Sequence, residues 1–245
     1  MARDIKKTIQ GLLAKAKDSA VTREESEALM ARAAELMMRY GIEQAELRQE
    51  QGRKPEDITM FTLDLPDDHG DIIVEALWPI CKAFGADGVQ IGPKLTLVGT
   101  VSMLDNLEML LAALQLQMIG SANLAGDEYE KKLRKQHPSW SDDRVWDFTD
   151  RYVWDYIRGY GRGVAVKIAD RRQVIIDEAP GNALVLRTEA DRIKAAFKER
   201  FPNTTTARGT RYTSEEARAA GFAAGRQADI GDTRVGGNSG TKALT

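Results

Sequence analysis

The residues of this chain that could do chemistry form an acidic group and a basic group. The acidic group is Pro66-Asp67-Asp68-His69-Gly70-Asp71, where three carboxylates and an imidazole fall within five residues. Carboxylate oxygens and imidazole nitrogens bind hard or borderline divalent cations, so Asp67, Asp68, His69 and Asp71 are a candidate metal site of a metal-dependent enzyme. The alternative is a solvated loop in which Asp71 caps the following helix. No second cluster with ligand spacing accompanies this group.

The basic group is interleaved with aromatic residues between positions 151 and 172, and a second basic segment follows further along the chain. Guanidinium groups pair with phosphates through two hydrogen bonds, and aromatic rings stack on unpaired bases. The pattern therefore predicts nucleic-acid binding. The alternative is that the aromatic residues lie in the core and the arginines form a solvated face, because their spacing also suits burial along a helix. The candidate nucleic-acid-binding residues are Arg151, Tyr152, Trp154, Arg158, Arg162, Lys167, Arg171, Arg172, Arg208 and Arg211.

The remaining reactive side chains match no catalytic signature. His137, beside Pro138 and Trp140, could act as a general base but has no nucleophile motif near it. The single cysteine, Cys81, follows Ile80 on the apolar side of a predicted helix, where a buried and unreactive thiol is expected. The chain lacks a phosphate-binding Gly-Lys loop, a paired-histidine helix and a nucleophile elbow. We therefore expect no catalytic residues and no cofactor, and the sequence favours a non-enzymatic protein.

Composition sets limits on the partners. The chain has 245 residues, 42% of them hydrophobic and 29% charged, and a formal net charge of −2, so any attraction to nucleic acid must come from a local patch. One cysteine excludes an intramolecular disulfide and suits a reducing compartment. The N-terminus is polar, and no segment approaches the ~20 apolar residues of a membrane span. We expect a cytoplasmic protein without a membrane partner; composition leaves its oligomeric state open.

The elements that must position these groups begin with a helical hairpin in residues 1–51. Apolar residues recur at helical spacing in Met1–Lys17, and Thr22 with Glu25 forms a capping box for a second helix. That helix ends at Tyr40-Gly41-Ile42, where glycine can adopt the left-handed conformation. A short helical extension is expected at Glu43–Gln51.

Residues 56–230 are predicted to form an α+β domain, followed by a flexible tail at 231–245. The predicted helices are Asp71–Phe84, kinked or broken at Pro79, then Ser102 to about Leu124, Asp143 to about Ile176, Thr188–Phe201, and Glu215–Ile230 capped by Ser214. The predicted strands are Ile58–Leu65, Val89–Ile91, Leu95–Val98 and Ala183–Leu186, and Thr204–Tyr212 has strand-like threonines. The fold class expected is α+β: an N-terminal helical hairpin followed by a helix-rich domain with a small mixed β-sheet.

Two pairs of glycines share a four-residue spacing, Gly159 with Gly163 and Gly221 with Gly225. Glycine inside a helix costs about 1 kcal/mol relative to alanine, so a close neighbour must offset this cost or the helix must break. The two pairs could bring two helices together within the domain or across a dimer. Packing within the domain is the more economical interpretation.

The hairpin also carries a family resemblance. The residues concerned are Ile5, Ile9 and Leu12-Leu13-Ala14-Lys15-Ala16, then Glu27-Ala28, Ala31, Ala33, Glu35-Leu36-Met37 and Tyr40-Gly41-Ile42. They resemble an N-terminal module of phage and bacterial proteins, the domain-of-unknown-function family two-seven-eight-six. The resemblance implies a phage or prophage origin and a following α+β domain, and it carries over no catalytic residue. Three hypotheses for the function therefore stay open. The first is a phage accessory protein that binds nucleic acid, the second an adaptor or inhibitor that docks a host or phage protein through the hairpin, and the third the metal-dependent enzyme described above.

Overall fold

The protein divides into a smaller unit that holds residues 1–36 and a larger unit of residues 37–228. In the smaller unit, helix α1 spans Ala2–Ala16 as the apolar spacing predicts, and Ile9 and Ala33 are buried. The described positions of the second predicted helix, between Glu25 and Gly41, are helical. Thr22 of the predicted capping box and the predicted tail lie outside the described residues. The computed structural model describes residues 2–16, 25, 29, 32–33, 35–37, 39–41, 48, 51–52, 54–65, 69–178, 182–205 and 212–228.

The larger unit is a helix-rich α+β domain, which confirms the predicted fold class. Its elements, in chain order, are β1 (Ile58–Asp64), α2 (Gly70–Phe84), β2 (Asp87–Ile91), β3 (Lys94–Thr100), α3 (Val101–Gln136), α4 (Asp142–Glu178), α5 (Asn182–Arg200) and α6 (Glu215–Gln227). Ser214 caps α6 as predicted, because its side-chain oxygen accepts a hydrogen bond from Ala217 N at 3.1 Å.

The sheet has the order β1-β3-β2, and both pairings are antiparallel, whereas a mixed sheet was expected. Ile91 pairs with Lys94, so the hairpin loop is the two residues Gly92-Pro93. Gly92 has a φ of +58°, a conformation that favours glycine. This tight turn fixes the register in which Leu95 and Leu97 point from one face of β3 into the core.

Helix α3 runs to Gln136, 12 residues beyond its predicted end at about Leu124. The extension has a polar solvent-facing side and packs on α4 with its other side, where the Tyr129 ring stacks on Tyr152 with ring centroids 4.1 Å apart. By length and composition, α3 is the one helix in the described part of the chain that could cross a membrane. Leu107, Leu111 and Met118 are nevertheless buried in the domain, as in the core helix of a folded domain.

Helix α4 is continuous through its glycines because its neighbours approach closely there. A Cβ added to Gly221 of α6 would lie 2.9 Å from Tyr156 Cα, and one added to Gly225 would lie 3.0 Å from Tyr160 Cα. Helix α2 packs equally closely at Gly161, where an added Cβ would lie 2.8 Å from Ala76 Cα. The structure thus confirms that the glycine pairs serve packing within one chain.

Three local predictions need correction. The predicted strand Ala183–Leu186 is wrong, because α5 begins at Asn182 and buries Val185, so helical packing overrides the strand preference. Pro79 does not break α2, which is continuous from Gly70 to Phe84. Thr204 and Tyr212 are not in a strand, and residues 206–211 between them lie outside the described part.

Candidate nucleic-acid interface

The basic residues of α4 lie on two sides of the helix and do not form a single face. At ~100° per residue, Arg151, Arg158 and Arg162 share a stripe about 40° wide, whereas Lys167 and Arg171 lie about 160° from its centre. Lys167 donates a hydrogen bond to the carbonyl oxygen of Ala228 at 2.9 Å. The tertiary structure therefore separates residues that the sequence placed in one group.

Arg158 is committed to an interior network rather than to the surface. Its Nε donates to Glu75 Oε2 at 2.6 Å, and one of its terminal nitrogens lies 3.4 Å from Asp155 Oδ1. Asp155 is 2% exposed, and its other oxygen accepts hydrogen bonds from Thr213 N and Ser214 N at 2.7 and 2.8 Å. This network attaches the segment before α6 to the middle of α4.

The aromatic candidates of α4 belong largely to the core. Tyr152 is 8% exposed and stacks on Tyr129, and burial is the main cause that raises its pKa. The indole nitrogen of Trp154 is buried without a hydrogen-bond partner in the described structure, and the ring lies 5.7 Å from that of His69. Burial and stacking of Tyr152 agree with the core interpretation for that residue, and Trp154 is half-buried.

Arg162 is exposed and lies beside Tyr212 and Arg218, which are half-buried. We call these three residues the arginine–tyrosine surface. The guanidinium carbons of Arg162 and Arg218 lie 5.9 and 5.6 Å from the centre of the Tyr212 ring. Arg218 pairs with Glu215 at 2.6 Å, and Arg162 has no carboxylate partner among the described residues. Tyr212 and Arg218 were not among the candidates predicted from the sequence, and their only sequence signal is their closeness to the capping residue Ser214.

The other basic candidates have separate positions. Arg151 is exposed and pairs with Asp147 at 3.0 Å, one turn away on α4. Arg172 is mostly buried; it donates to the carbonyl oxygen of Ala83 at 3.2 Å and packs on Gly85, which has a φ of +103°. Arg208 and Arg211 lie outside the described residues.

Arg172 also lines a cavity of about 50 Å³ together with Glu56 and Glu189. Burial would raise the pKa of Glu56, but hydrogen bonds from the Ser102 side chain and Arg48 hold it below its ordinary value. Burial, and then repulsion by Glu56, raises the pKa of Glu189. Burial likewise lowers the pKa of Arg172. The cavity is large enough for one or two waters. Its surroundings lower the pKa of one carboxylate, Glu56, and raise the pKa of the other, Glu189.

The candidate metal site is not assembled in the described part of the chain, which contains no group of three or more histidine, cysteine, aspartate or glutamate side chains placed to hold an ion. Asp67 and Asp68 lie outside the described residues. Asp71 accepts a hydrogen bond from Ile72 N at 2.9 Å in the first turn of α2, and His69 occupies the cap position without a side-chain capping bond.

Two further candidates are now placed in the structure. His137 stacks on Trp140 with ring centroids 4.0 Å apart, next to the end of α3. Cys81 is buried in α2, and burial raises its pKa to about 12, which keeps the thiol protonated. Neither arrangement resembles a nucleophile with an adjacent base.

The class of protein defined by these observations is a helix-rich α+β domain that carries the arginine–tyrosine surface, preceded by a helical N-terminal segment. Residues 4–44 match the family model described as protein of unknown function (DUF2786), which confirms the resemblance seen in the hairpin. Comparison with curated proteins and with solved structures finds no match for the chain. The family match identifies the N-terminal module and assigns no activity.

Proposed function

We propose that this protein is a non-enzymatic accessory protein that binds nucleic acid through the arginine–tyrosine surface. The observation that supports this best is the position of two guanidinium groups within 6 Å of one tyrosine ring, with Arg162 exposed and without a carboxylate partner in the described structure. Arginine pairs with phosphate through two parallel hydrogen bonds, and an aromatic ring beside it offers a stacking surface for a base. The cluster therefore has both contacts that a single strand requires.

Arg151 extends this surface along α4. It lies eleven residues before Arg162 on the same stripe, which is about 16 Å along the helix axis at ~1.5 Å per residue. Successive nucleotides of one strand rise by about 3.4 Å, so the two arginines span about five nucleotide steps. Arg158, between them, is paired with Glu75 and Asp155 and orients the segment before α6 rather than contacting a ligand.

The experiment is fluorescence anisotropy with labelled single- and double-stranded DNA and RNA over a salt series. Each phosphate contact that is lost reduces the steepness of the plot of log binding constant against log salt concentration by about 0.7–0.9. Arg162→Gln and Arg218→Gln should therefore each weaken binding and reduce this steepness by nearly one. Arg134→Gln is the control, because Arg134 is an exposed arginine at the end of α3 paired with Glu130 and Asp142. Absence of salt-sensitive binding to all four probes at low ionic strength would remove the proposal. Equal effects of Arg162→Gln and Arg134→Gln would also contradict it.

A further inference from the structure

A second basic and aromatic site lies in residues that the arginine–tyrosine surface does not include. It is a groove of about 460 Å³ between the C-terminal half of α5 and the beginning of β2. Binding pockets for small molecules have volumes of roughly 300–1,000 Å³, so the groove is large enough for a ligand of nucleotide size. It is lined by Asp87, Lys194, Phe197, Lys198, Phe201, Pro202 and Thr204.

Helix geometry brings three side chains of α5, and that of Phe201 directly after it, to one side. Lys194, Phe197, Lys198 and Phe201 fall within an arc of about 100° at 3.6 residues per turn. The rings of Phe197 and Phe201 lie 5.4 Å apart at 38°, and both are only partly buried. The groove therefore presents two adjacent aromatic rings on one side and two ammonium groups beside them.

The charge of the groove is positive. Lys194 and Lys198 are exposed, and neither forms an ion pair within the described structure. Asp87 is the one carboxylate that lines the groove, and its Oδ1 is occupied by Lys82 Nζ at 3.1 Å and Gly88 N at 3.0 Å. An anion that enters the groove thus meets two ammonium groups without their own counter-ions and a carboxylate that is already neutralised.

We propose that this groove binds a nucleotide, with the base against Phe197 and Phe201 and the phosphate between Lys194 and Lys198. Aromatic rings stack on any base, and lysine holds phosphate as a point charge. The same chemistry is presented by a free nucleotide and by one nucleotide of a single strand. The site stands on its own residues and does not depend on binding at the arginine–tyrosine surface.

Calorimetry on the full chain with AMP, adenosine, inorganic phosphate and a short oligodeoxyadenylate tests the assignment. We expect AMP to bind at least tenfold more tightly than adenosine or phosphate, because only AMP engages both the rings and the ammonium groups. Lys194→Gln with Lys198→Gln should lower the affinity for AMP at least tenfold and leave adenosine unchanged. Phe197→Leu with Phe201→Leu should weaken both ligands, and Lys131→Gln, an exposed lysine of α3, should change neither.

The outcomes separate the two sources of the ligand and the two proposed sites. Oligonucleotide binding that is weakened by the lysine substitutions assigns the groove to a nucleotide within a strand, whereas AMP binding that the oligonucleotide does not displace assigns it to a free nucleotide. The proposal that the groove binds a nucleotide is refuted if neither AMP nor the oligonucleotide shows saturable binding. It is also refuted if the lysine and phenylalanine substitutions leave the affinities unchanged. If AMP does not bind and only Arg162→Gln abolishes oligonucleotide binding, the result supports nucleic-acid binding at the arginine–tyrosine surface and refutes nucleotide binding in the groove.

Discussion

The contact between α4 and α6 makes a quantitative prediction about Gly221. A Cβ at this position would lie 2.8 Å from the carbonyl carbon and 2.9 Å from the Cα of Tyr156, whereas nonbonded carbons prefer about 3.5–4.0 Å. The clash is with backbone, so no side chain can rotate to relieve it. The carbonyl oxygen of Tyr156 would be closer still to this Cβ than the two carbons, so the two helices must separate by more than about 1 Å, which loosens their whole interface.

The expected cost follows from two opposing terms. Overpacking of this kind costs about 1–3 kcal/mol, and we expect the upper part of this range because backbone must move. Replacing glycine by alanine inside a helix returns about 1 kcal/mol. Gly221→Ala should therefore lower the free energy of unfolding by about 2 kcal/mol, equivalent to about 4–8 °C in Tm for a chain of this size.

Thermal and urea unfolding followed by circular dichroism measure this effect, and Gly120→Ala supplies the matched control. Gly120 lies in α3 with open space where its Cβ would be, so its replacement should raise Tm by about 2 °C through helix propensity alone. The double variant Gly159→Ala with Gly221→Ala should cost less than the sum of the two, because the first substitution already separates the same helices. If Gly221→Ala is as stable as the wild type, or shifts Tm in the same direction as Gly120→Ala, the close-packing argument fails.

Three further predictions concern one buried and two half-buried carboxylates. Asp155→Asn removes the charge that accepts hydrogen bonds from Thr213 and Ser214 and pairs with Arg158. We expect it to lower the free energy of unfolding in urea by about 3 kcal/mol. Asp147→Asn, at an exposed ion pair on the same helix, is the control, and an equally large loss in that variant would refute the prediction. The pKa of Glu189 is raised in the folded state, so its contribution to stability falls as the pH rises from about 4.5 through the folded pKa. The Tm of Glu189→Gln relative to the wild type should therefore increase between pH 4.5 and pH 7.5. Glu56 has a lowered pKa, so its stabilising contribution is lost as pH falls, and Glu56→Gln should cost more at pH 7.5 than at pH 4; parallel pH profiles for the two variants would contradict this assignment.

Most helices and strands could be predicted from local pattern. The alternation in Ile58–Leu65, the Gly92-Pro93 turn and the capping residue Ser214 are signals carried by a few adjacent residues, and the structure has β1, the hairpin and α6 where these signals predict them. The errors occur where distant contacts outweigh local preference. Val185 favours a strand locally but is buried as part of α5, and the polar end of α3 remains helical because Tyr129 packs on Tyr152.

The candidate binding surface was less predictable than the fold. The type and spacing of Arg158 and Arg162 are similar in sequence, yet one is paired with Glu75 at 2.6 Å and the other is exposed. Glu75 lies more than eighty residues away in the chain, so no local pattern reveals this pairing. Tyr212 likewise acquires Arg162 as a neighbour only because the segment before α6 packs against α4, whereas Arg218 is close to Tyr212 in the sequence.

By itself, the sequence determined the α+β class, the N-terminal hairpin family and the glycine spacing that allows two helices to pack closely. These properties depend on residue types at short, fixed separations, which a linear chain records directly. Only the tertiary structure decided which arginines are exposed, which aromatic rings are core, and that Lys194, Lys198 and two phenylalanines line one groove with the start of β2. Those outcomes depend on burial and pairing between residues far apart in the chain, because a charge is available to a ligand only where the fold supplies no partner for it.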